Sequence, residues 1–141
     1  MRRILVVANE TAGGRALRHE LLQRARHGPV QVFVVCPALN SRLRHWLSDE
    51  DGARLQAEQR LADSLAALAR DGLVTDGLVG DADPVVALAD ALRIFAAHEV
   101  IVSTHPPGRS NWLERDVIGR ARNVSPVPVT HVVGNAEVAA A

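Results

Sequence analysis

Five short apolar segments, separated by stretches in which apolar residues recur every three or four positions, constrain the fold of this chain most. Residues 3–8, 30–36, Glu99–Thr104 and Val129–Val133 are rich in β-branched residues, and 73–80 is similar but more polar. Nearly continuous apolar runs are typical of strands covered on both faces. Because strands and helices alternate with short connections, the sequence predicts a mostly parallel sheet with helices on both faces. The more polar segment 73–80 is expected nearer an edge of that sheet.

Helical periodicity and capping residues place four helices between these strands. Thr11 is predicted to cap the first helix, and Asp83 followed by Pro84 is a strong start for the third. Asn111 and Glu114 have the spacing of a capping box for the fourth. The apolar positions at helical spacing are Leu17, Leu21 and Leu22 in the first helix, Leu61, Leu65 and Leu68 in the second, Val85, Leu88, Leu92 and Phe95 in the third, and Leu113, Val117, Ala121 and Val124 in the fourth.

The composition bounds the class of protein and its partners. A chain of 141 residues is long enough for one compact domain, which we expect at 1–134, with a disordered tail at 135–141. The formal net charge is zero, so no bulk field favours nucleic acid or an acidic membrane. No segment approaches the ~20 apolar residues of a membrane span. We therefore expect a cytoplasmic protein with no nucleic-acid and no membrane partner.

Four motifs, taken in order, resemble those of the universal stress protein family from about Arg2 to Val133. They are Asn9 and Thr11 after the first strand, where the family has Asp and Ser; Gly80 and Pro84 before the third helix; Thr104 and His105 after the fourth strand; and Pro126 and Pro128 before the last strand. The resemblance implies a Rossmann-like, adenine nucleotide α-hydrolase-like fold. That fold is a three-layer α/β/α sandwich with a five-stranded parallel sheet in the order 3-2-1-4-5 and two helices on each face.

One departure from the family pattern concerns phosphate binding. The ATP-binding members that this chain resembles carry Gly-x2-Gly-x9-Gly-Ser/Thr after the fourth strand. Here Ser103 and Pro106 stand at the first two glycine positions, and Arg115 and Asp116 stand where Gly-Ser/Thr would be. Glycines let a backbone approach phosphate closely, whereas proline offers no N–H and an aspartate repels an anion. The sequence therefore predicts that this is not an ordinary ATP-binding member.

The candidate site is the crevice beyond the carboxyl ends of the strands where strand order reverses, between the first and fourth strands. Within it, 107–111 is the main candidate for an anion site: Gly108 allows close approach, and Ser110 and Asn111 stand at a predicted helix N-terminus beside Arg109. The alternative interpretation of this segment is a rigid turn in which Ser110 or Asn111 only caps the helix and Arg109 is solvated. The predicted ligand- or anion-binding residues are Ala8, Asn9, Thr11, Cys36, Pro37, Gly80, Ser103, Thr104, His105, Gly108, Arg109, Ser110, Asn111 and Arg115.

Side chains in this region have two interpretations each. Trp112 either stacks on a base or anchors its loop, and anchoring is favoured. His105 either contacts a ligand or bonds within its own loop. Cys36 is interpreted as a packed thiol rather than a reactive one. The six histidines show no metal-ligand spacing, and we expect no metal site.

The function predicted is a regulatory domain that binds an adenine nucleotide or another phosphorylated small molecule without turnover. The alternative is a dimeric interaction module in the stress response that binds no nucleotide. The chain has no G-x-S-x-G, GxxxxGK[ST] or GxGxxG motif, so we predict that it is not an enzyme. The cofactor is not identified, although ATP and AMP are candidates. A homodimer through Val129–Val133 is expected, because an apolar edge strand is a liability when it is left bare.

Overall fold

A computed structural model of the chain describes residues 1–8, 14–37, 50–106, 112 and 116–134. These residues form one five-stranded parallel sheet in the order β3-β2-β1-β4-β5, as predicted. The tail predicted at 135–141 lies outside the described residues. The elements are β1 (Arg2–Val7), α1 (Arg15–Ala25), β2 (Val30–Pro37), α2 (Glu50–Arg70), β3 (Val74–Gly80), α3 (Pro84–Ile94), β4 (Glu99–Thr104), α4 (Val117–Val124) and β5 (Val129–Val133).

The sheet separates two apolar cores, each built by alternate residues of the central strands. Side chains of one strand point alternately to opposite faces, so Ile4 and Val6 pack on one side while Leu5 and Val7 pack on the other. The first core adds residues of α1 and α2, among them Leu17, Leu21, Leu61 and Leu68; the second adds residues of α3 and α4, among them Leu88, Ala91, Val117 and Ala121. The predicted arrangement of two helices on each face is therefore confirmed.

The sequence located several boundaries correctly. The third helix begins where Asp83 and Pro84 predicted, and the Asp83 carboxylate accepts a hydrogen bond of 2.9 Å from the Val85 N–H. The second helix ends at Arg70, just before Gly72, whose φ of +81° suits a residue without a side chain. β3 lies at one edge of the sheet, as its polar character indicated.

The start of the first helix was predicted wrongly. α1 begins at Arg15, and Gly14, not Thr11, occupies the N-cap position, without a side-chain hydrogen bond; Thr11 itself lies outside the described residues. Leu17 and Leu21 are buried as expected, but Leu22 is 38% exposed. One residue further along a helix is about 100° further round its axis, and that rotation carries Leu22 away from the sheet.

The predicted fourth helix is interrupted. Asp116 has a φ of 52° and a ψ of 43°, in the left-handed region, so a right-handed helix starting at Asn111 cannot pass through it. α4 therefore begins at Val117, with Asp116 as its N-cap. Val124, the last residue of the helix, is 45% exposed rather than packed on the sheet. Asn111, Leu113 and Glu114 lie outside the described residues.

In the described part of the chain, none of the helices has the length and apolarity that crossing a membrane requires.

Candidate functional site

The carboxyl ends of the five strands form one edge of the sheet, which we call the carboxyl edge. Along it the register sets Gly80 beside Pro37, and Thr104 beside Val133. Ala8 continues β1 and donates its N–H to the Val35 carbonyl at 3.1 Å. Strand order reverses between β1 and β4, which pair directly from Ile4–Glu99 to Val7–Val102. Parallel sheets bind ligands beyond such a point, so the carboxyl ends of β1 and β4 are where the crevice predicted from the sequence would lie.

The predicted site residues fall into two sets. The structure brings the described ones together on the carboxyl edge: Ala8, Cys36, Pro37, Gly80, Ser103, Thr104 and His105. The others lie outside the described residues: Asn9, Thr11, Gly108, Arg109, Ser110, Asn111 and Arg115.

The floor of the crevice is tightly packed. Ala8, Cys36, Ser103 and Thr104 are each at most 2% exposed. At Gly80 a Cβ would lie 2.8 Å from the Cβ of Ala87, so this position admits only glycine without a shift of α3. The floor therefore contributes shape and backbone groups, and a ligand above it would meet side chains from the loops that leave the strands.

Cys36 is a packed thiol in this structure. Burial raises the pKa of its thiol to about 11, although the positive charge of Arg60 acts in the opposite direction. A thiol with such a pKa is protonated at neutral pH, and the thiolate is the nucleophilic form. A buried, protonated thiol matches the packed role that was predicted for Cys36.

Thr104 and His131 form a polar contact beside the crevice. The Thr104 Oγ1 and the His131 Nε2 lie 2.8 Å apart, across the β4–β5 pair. Partial burial and the positive charge of Arg122 lower the pKa of His131, so the neutral ring is favoured at pH 7. Thr104 as a residue is 2% exposed, and this contact therefore fixes the end of β4 rather than presenting a nucleophile.

The N-termini of α3 and α4 meet on the carboxyl edge, and an ion pair joins them. Arg120 Nη2 of α4 donates to the Asp83 Oδ2 at 2.9 Å, while the other Asp83 oxygen caps α3. Burial alone would raise the pKa of Asp83, but the hydrogen bonds from Arg120 and from the Val85 N–H outweigh it and lower the pKa. Asp83 is thus an anion at neutral pH, and it holds the two helix starts together.

A carboxylate also occupies the N-terminus of α4. Asp116 accepts a hydrogen bond from the Gly119 N–H at 3.3 Å, and its oxygens fill the space where a Cβ of Gly119 would lie, at 2.7 and 2.8 Å. Free N–H groups at a helix start favour an anion, and here a side chain of the chain itself supplies one. Asp116 therefore places negative charge at the helix start where the family pattern predicted phosphate binding.

Sequence reasoning missed two side chains of this region, Arg120 and His131. Both contacts depend on register: Arg120 pairs with a residue 37 positions earlier, and His131 with one 27 positions earlier. Neither residue stands in a motif that could have pointed to its partner. The nearest signal is the Asp83-Pro84 helix start, which locates the carboxylate but not the cation that approaches it.

The fold is shared with solved universal stress proteins. The Archaeoglobus fulgidus protein in complex with dAMP superposes with a TM-score of 0.64 at 17% identity, over 94% of this chain and 98% of that one. A universal stress protein family protein from Arabidopsis thaliana with AMP bound gives 0.61 at 11% identity, over 97% and 94%. A universal stress protein in complex with cAMP gives 0.54 at 19% identity, over 95% and 98%.

These likenesses confirm the fold that the sequence motifs implied: the chain has the Rossmann-like α/β fold of universal stress proteins. No family model matches the sequence, and no curated protein does.

Proposed function

We propose that this chain is a regulatory domain of the universal stress protein type. It binds an adenine nucleotide or another phosphorylated small molecule in the crevice above β1 and β4 and does not turn it over. The observation that carries the proposal is the strand order, which reverses between β1 and β4 and gathers Ala8, Ser103 and Thr104 at that point. Solved proteins of the same fold hold dAMP, AMP or cAMP, which supports an adenine nucleotide as the ligand class.

The chemistry of the crevice floor favours binding without turnover. The Cys36 thiol is protonated at neutral pH, with a pKa of about 11, and the Thr104 hydroxyl is buried against His131. A nucleophile needs both an activated form and access to substrate. Neither of these two side chains meets both requirements.

The test is a thermal-shift and calorimetric titration of the intact chain with ATP, ADP, AMP and cyclic AMP. We expect at least one nucleotide to stabilise the chain and to bind with measurable heat. Arg109→Ala should lose that effect, whereas Arg26→Ala, an exposed arginine beyond the far end of α1, should keep it. The proposal fails if none of the four nucleotides binds, and steady release of product from ATP would contradict the absence of turnover.

A second function, an interaction module that binds no nucleotide, is favoured by one observation. Asp116 puts a carboxylate at the start of α4, on the same edge as the crevice, and a phosphate placed there would meet like charge. Asp116→Ser separates the two functions. If the chain binds nucleotides, the variant should bind them more tightly than wild type; if it is an interaction module, the wild type should bind none.

We also propose a homodimer through β5. Within the described residues β5 pairs with β4 alone, and Val133 on it is 43% exposed. Pairing with a second copy would satisfy the open edge of this strand. Light scattering should give a dimer mass that Val133→Glu reduces to a monomer, while Leu55→Glu, at a more exposed position on α2, should leave it unchanged. A monomeric wild-type chain would refute the dimer.

A further inference from the structure

A groove lies at the β3 edge of the sheet, between β3 and α3. It has a volume of about 450 Å³, is open to solvent, and is lined by residues 78–81 at the end of β3 and by residues 87, 90, 91 and 94 of α3. Gly80, Ala87 and Ala91 contribute small or absent side chains to it. Ala87 and Ala91 are each 1% exposed, and a Cβ at Gly80 would lie 2.8 Å from that of Ala87, so these small residues let α3 pack close to β3 and form the base of the groove.

Large apolar side chains border the groove and are exposed. Ile94, which lines it, is 68% exposed, and Val86 is 42% exposed. Positions 86, 90 and 94 are four apart and lie on one side of α3. On β3, Val74 is 54% exposed and shares a strand face with Leu78, which also lines the groove. The helix and the strand edge together present apolar surface that nothing in the described part of the chain covers.

Two of the residues that line the groove are charged, and both are acidic. Asp81 and Asp90 line it, and the described lining includes no basic residue. Asp76 is exposed on the same face of β3 as Leu78. The Asp76 carboxylate accepts a hydrogen bond from the Gly77 N–H at 2.7 Å, and the Asp81 carboxylate accepts one from the Asp83 N–H at 2.9 Å. We call this surface, with its acidic border, the β3–α3 surface.

We propose that the β3–α3 surface binds a segment of a partner protein in which arginine or lysine side chains alternate with apolar ones. An apolar side chain of the partner would pack against Leu78 and Ile94, and its cations would lie near Asp81 and Asp90. Charge complementarity selects such a partner, because the same carboxylates repel nucleic acid and acidic peptides. A second copy of this chain is disfavoured, since a two-fold contact would set this acidic surface against itself.

The test is selection of a random-peptide display library on the intact chain, with counter-selection on the double variant Asp90→Asn, Ile94→Ser. The enriched peptides should be cationic and contain apolar residues. One of them, made with a fluorescent label, is then titrated with each single variant by fluorescence anisotropy. Val124→Ser and Asp63→Asn are the matched controls, because they remove an exposed apolar and an exposed acidic side chain on α4 and α2.

Each variant has a defined expected effect. Ile94→Ser should weaken binding about tenfold, from lost apolar burial. Asp90→Asn should weaken it about two- to fivefold, and added salt should weaken wild-type binding further. Both controls should bind like wild type, and unfolding curves check that all variants are folded.

Three outcomes would overturn the proposal. They are enrichment of no peptide after counter-selection, enrichment of neutral or acidic peptides, and loss of binding in the two controls to the same extent. A concentration-dependent increase in mass that Ile94→Ser abolishes would assign the surface to a second copy of the chain instead.

Discussion

Replacing Glu99 with glutamine tests how the amino-terminal edge of the sheet is held together. Glu99 is the first residue of β4, and its side chain is only 7% exposed. Arg2 Nε donates to one of its oxygens at 2.7 Å, and Arg24 Nε donates to the other at 2.5 Å. The glutamate thus links β1, α1 and β4 through one carboxylate, and Glu99→Gln removes the charge while nearly preserving the shape.

The expected loss of stability follows from how exposed the two arginines are. Removing one partner of a fully buried ion pair costs about 3–5 kcal/mol, because the remaining charge is left uncompensated. The Arg2 side chain is 50% exposed and can be solvated, whereas that of Arg24 is 20% exposed and keeps Glu20 as a partner. We therefore expect Glu99→Gln to lower the free energy of unfolding by about 2 kcal/mol at pH 7.

The pH dependence of this loss has a definite sign. Burial alone would raise the pKa of Glu99, but hydrogen bonds and charge from Arg24 and Arg2 outweigh it and lower the pKa in the folded state. A carboxyl with a lowered folded pKa stabilises the fold fully above its unfolded pKa, about 4.3, and loses that contribution as pH falls through the folded value. The difference between wild type and Glu99→Gln should therefore shrink below about pH 4.

Urea unfolding followed by circular dichroism, at pH 7 and at several values down to pH 3, measures both effects. Glu20→Gln is the matched control: its carboxylate bonds Arg24 at 2.5 Å but is 37% exposed, so we expect a loss of about 0.5 kcal/mol or less. A loss below about 0.5 kcal/mol for Glu99→Gln would refute the reasoning, and so would a difference from wild type that does not change with pH.

Three other predictions test the packing of the sheet and the chemistry of the site. Gly77→Ala should destabilise the chain by about 1–3 kcal/mol in urea unfolding, because its Cβ would lie 2.4 Å from the Val34 carbonyl oxygen; wild-type stability would contradict this close approach. Asp83→Ala should cost about 1–2 kcal/mol at pH 7 by the same assay, since it removes a helix cap and the partner of Arg120, and the loss should be smaller at pH 3. Cys36 should resist iodoacetamide at pH 7 until the chain is unfolded, because its thiol is buried with a pKa of about 11; rapid labelling of the native chain, measured by mass spectrometry, would show that it is accessible.

Much of the fold could be predicted from local patterns. β4 and β5 have the bounds that their apolar runs indicated, and Asp83 caps α3 as its place before Pro84 required. These features depend on a few neighbouring residues, so periodicity and capping chemistry suffice to find them. Two errors, a first helix starting before Arg15 and a helix running through 116, concern where a helix starts, which depends on how the chain leaves a strand.

The candidate site was predictable in outline but not in its contacts. The parallel sheet and its reversal point follow from the alternation of strands and helices and from the family resemblance, and they place Ser103 and Thr104 on the carboxyl edge. The Asp83–Arg120 pair and the Thr104–His131 contact could not be predicted, because each joins elements whose relative positions arise only when the sheet assembles.

By itself, the sequence determined which segments are strands and helices and that they form a parallel layered sheet, because apolar periodicity and capping act within a few residues. Only the tertiary structure decided which distant charges meet. Glu99 joins Arg2, 97 residues away, and Arg24, 75 residues away, since strand order and register bring them within hydrogen-bond distance. It also decided that Asp116 occupies the start of α4, because one left-handed residue turns its carboxylate back onto the helix.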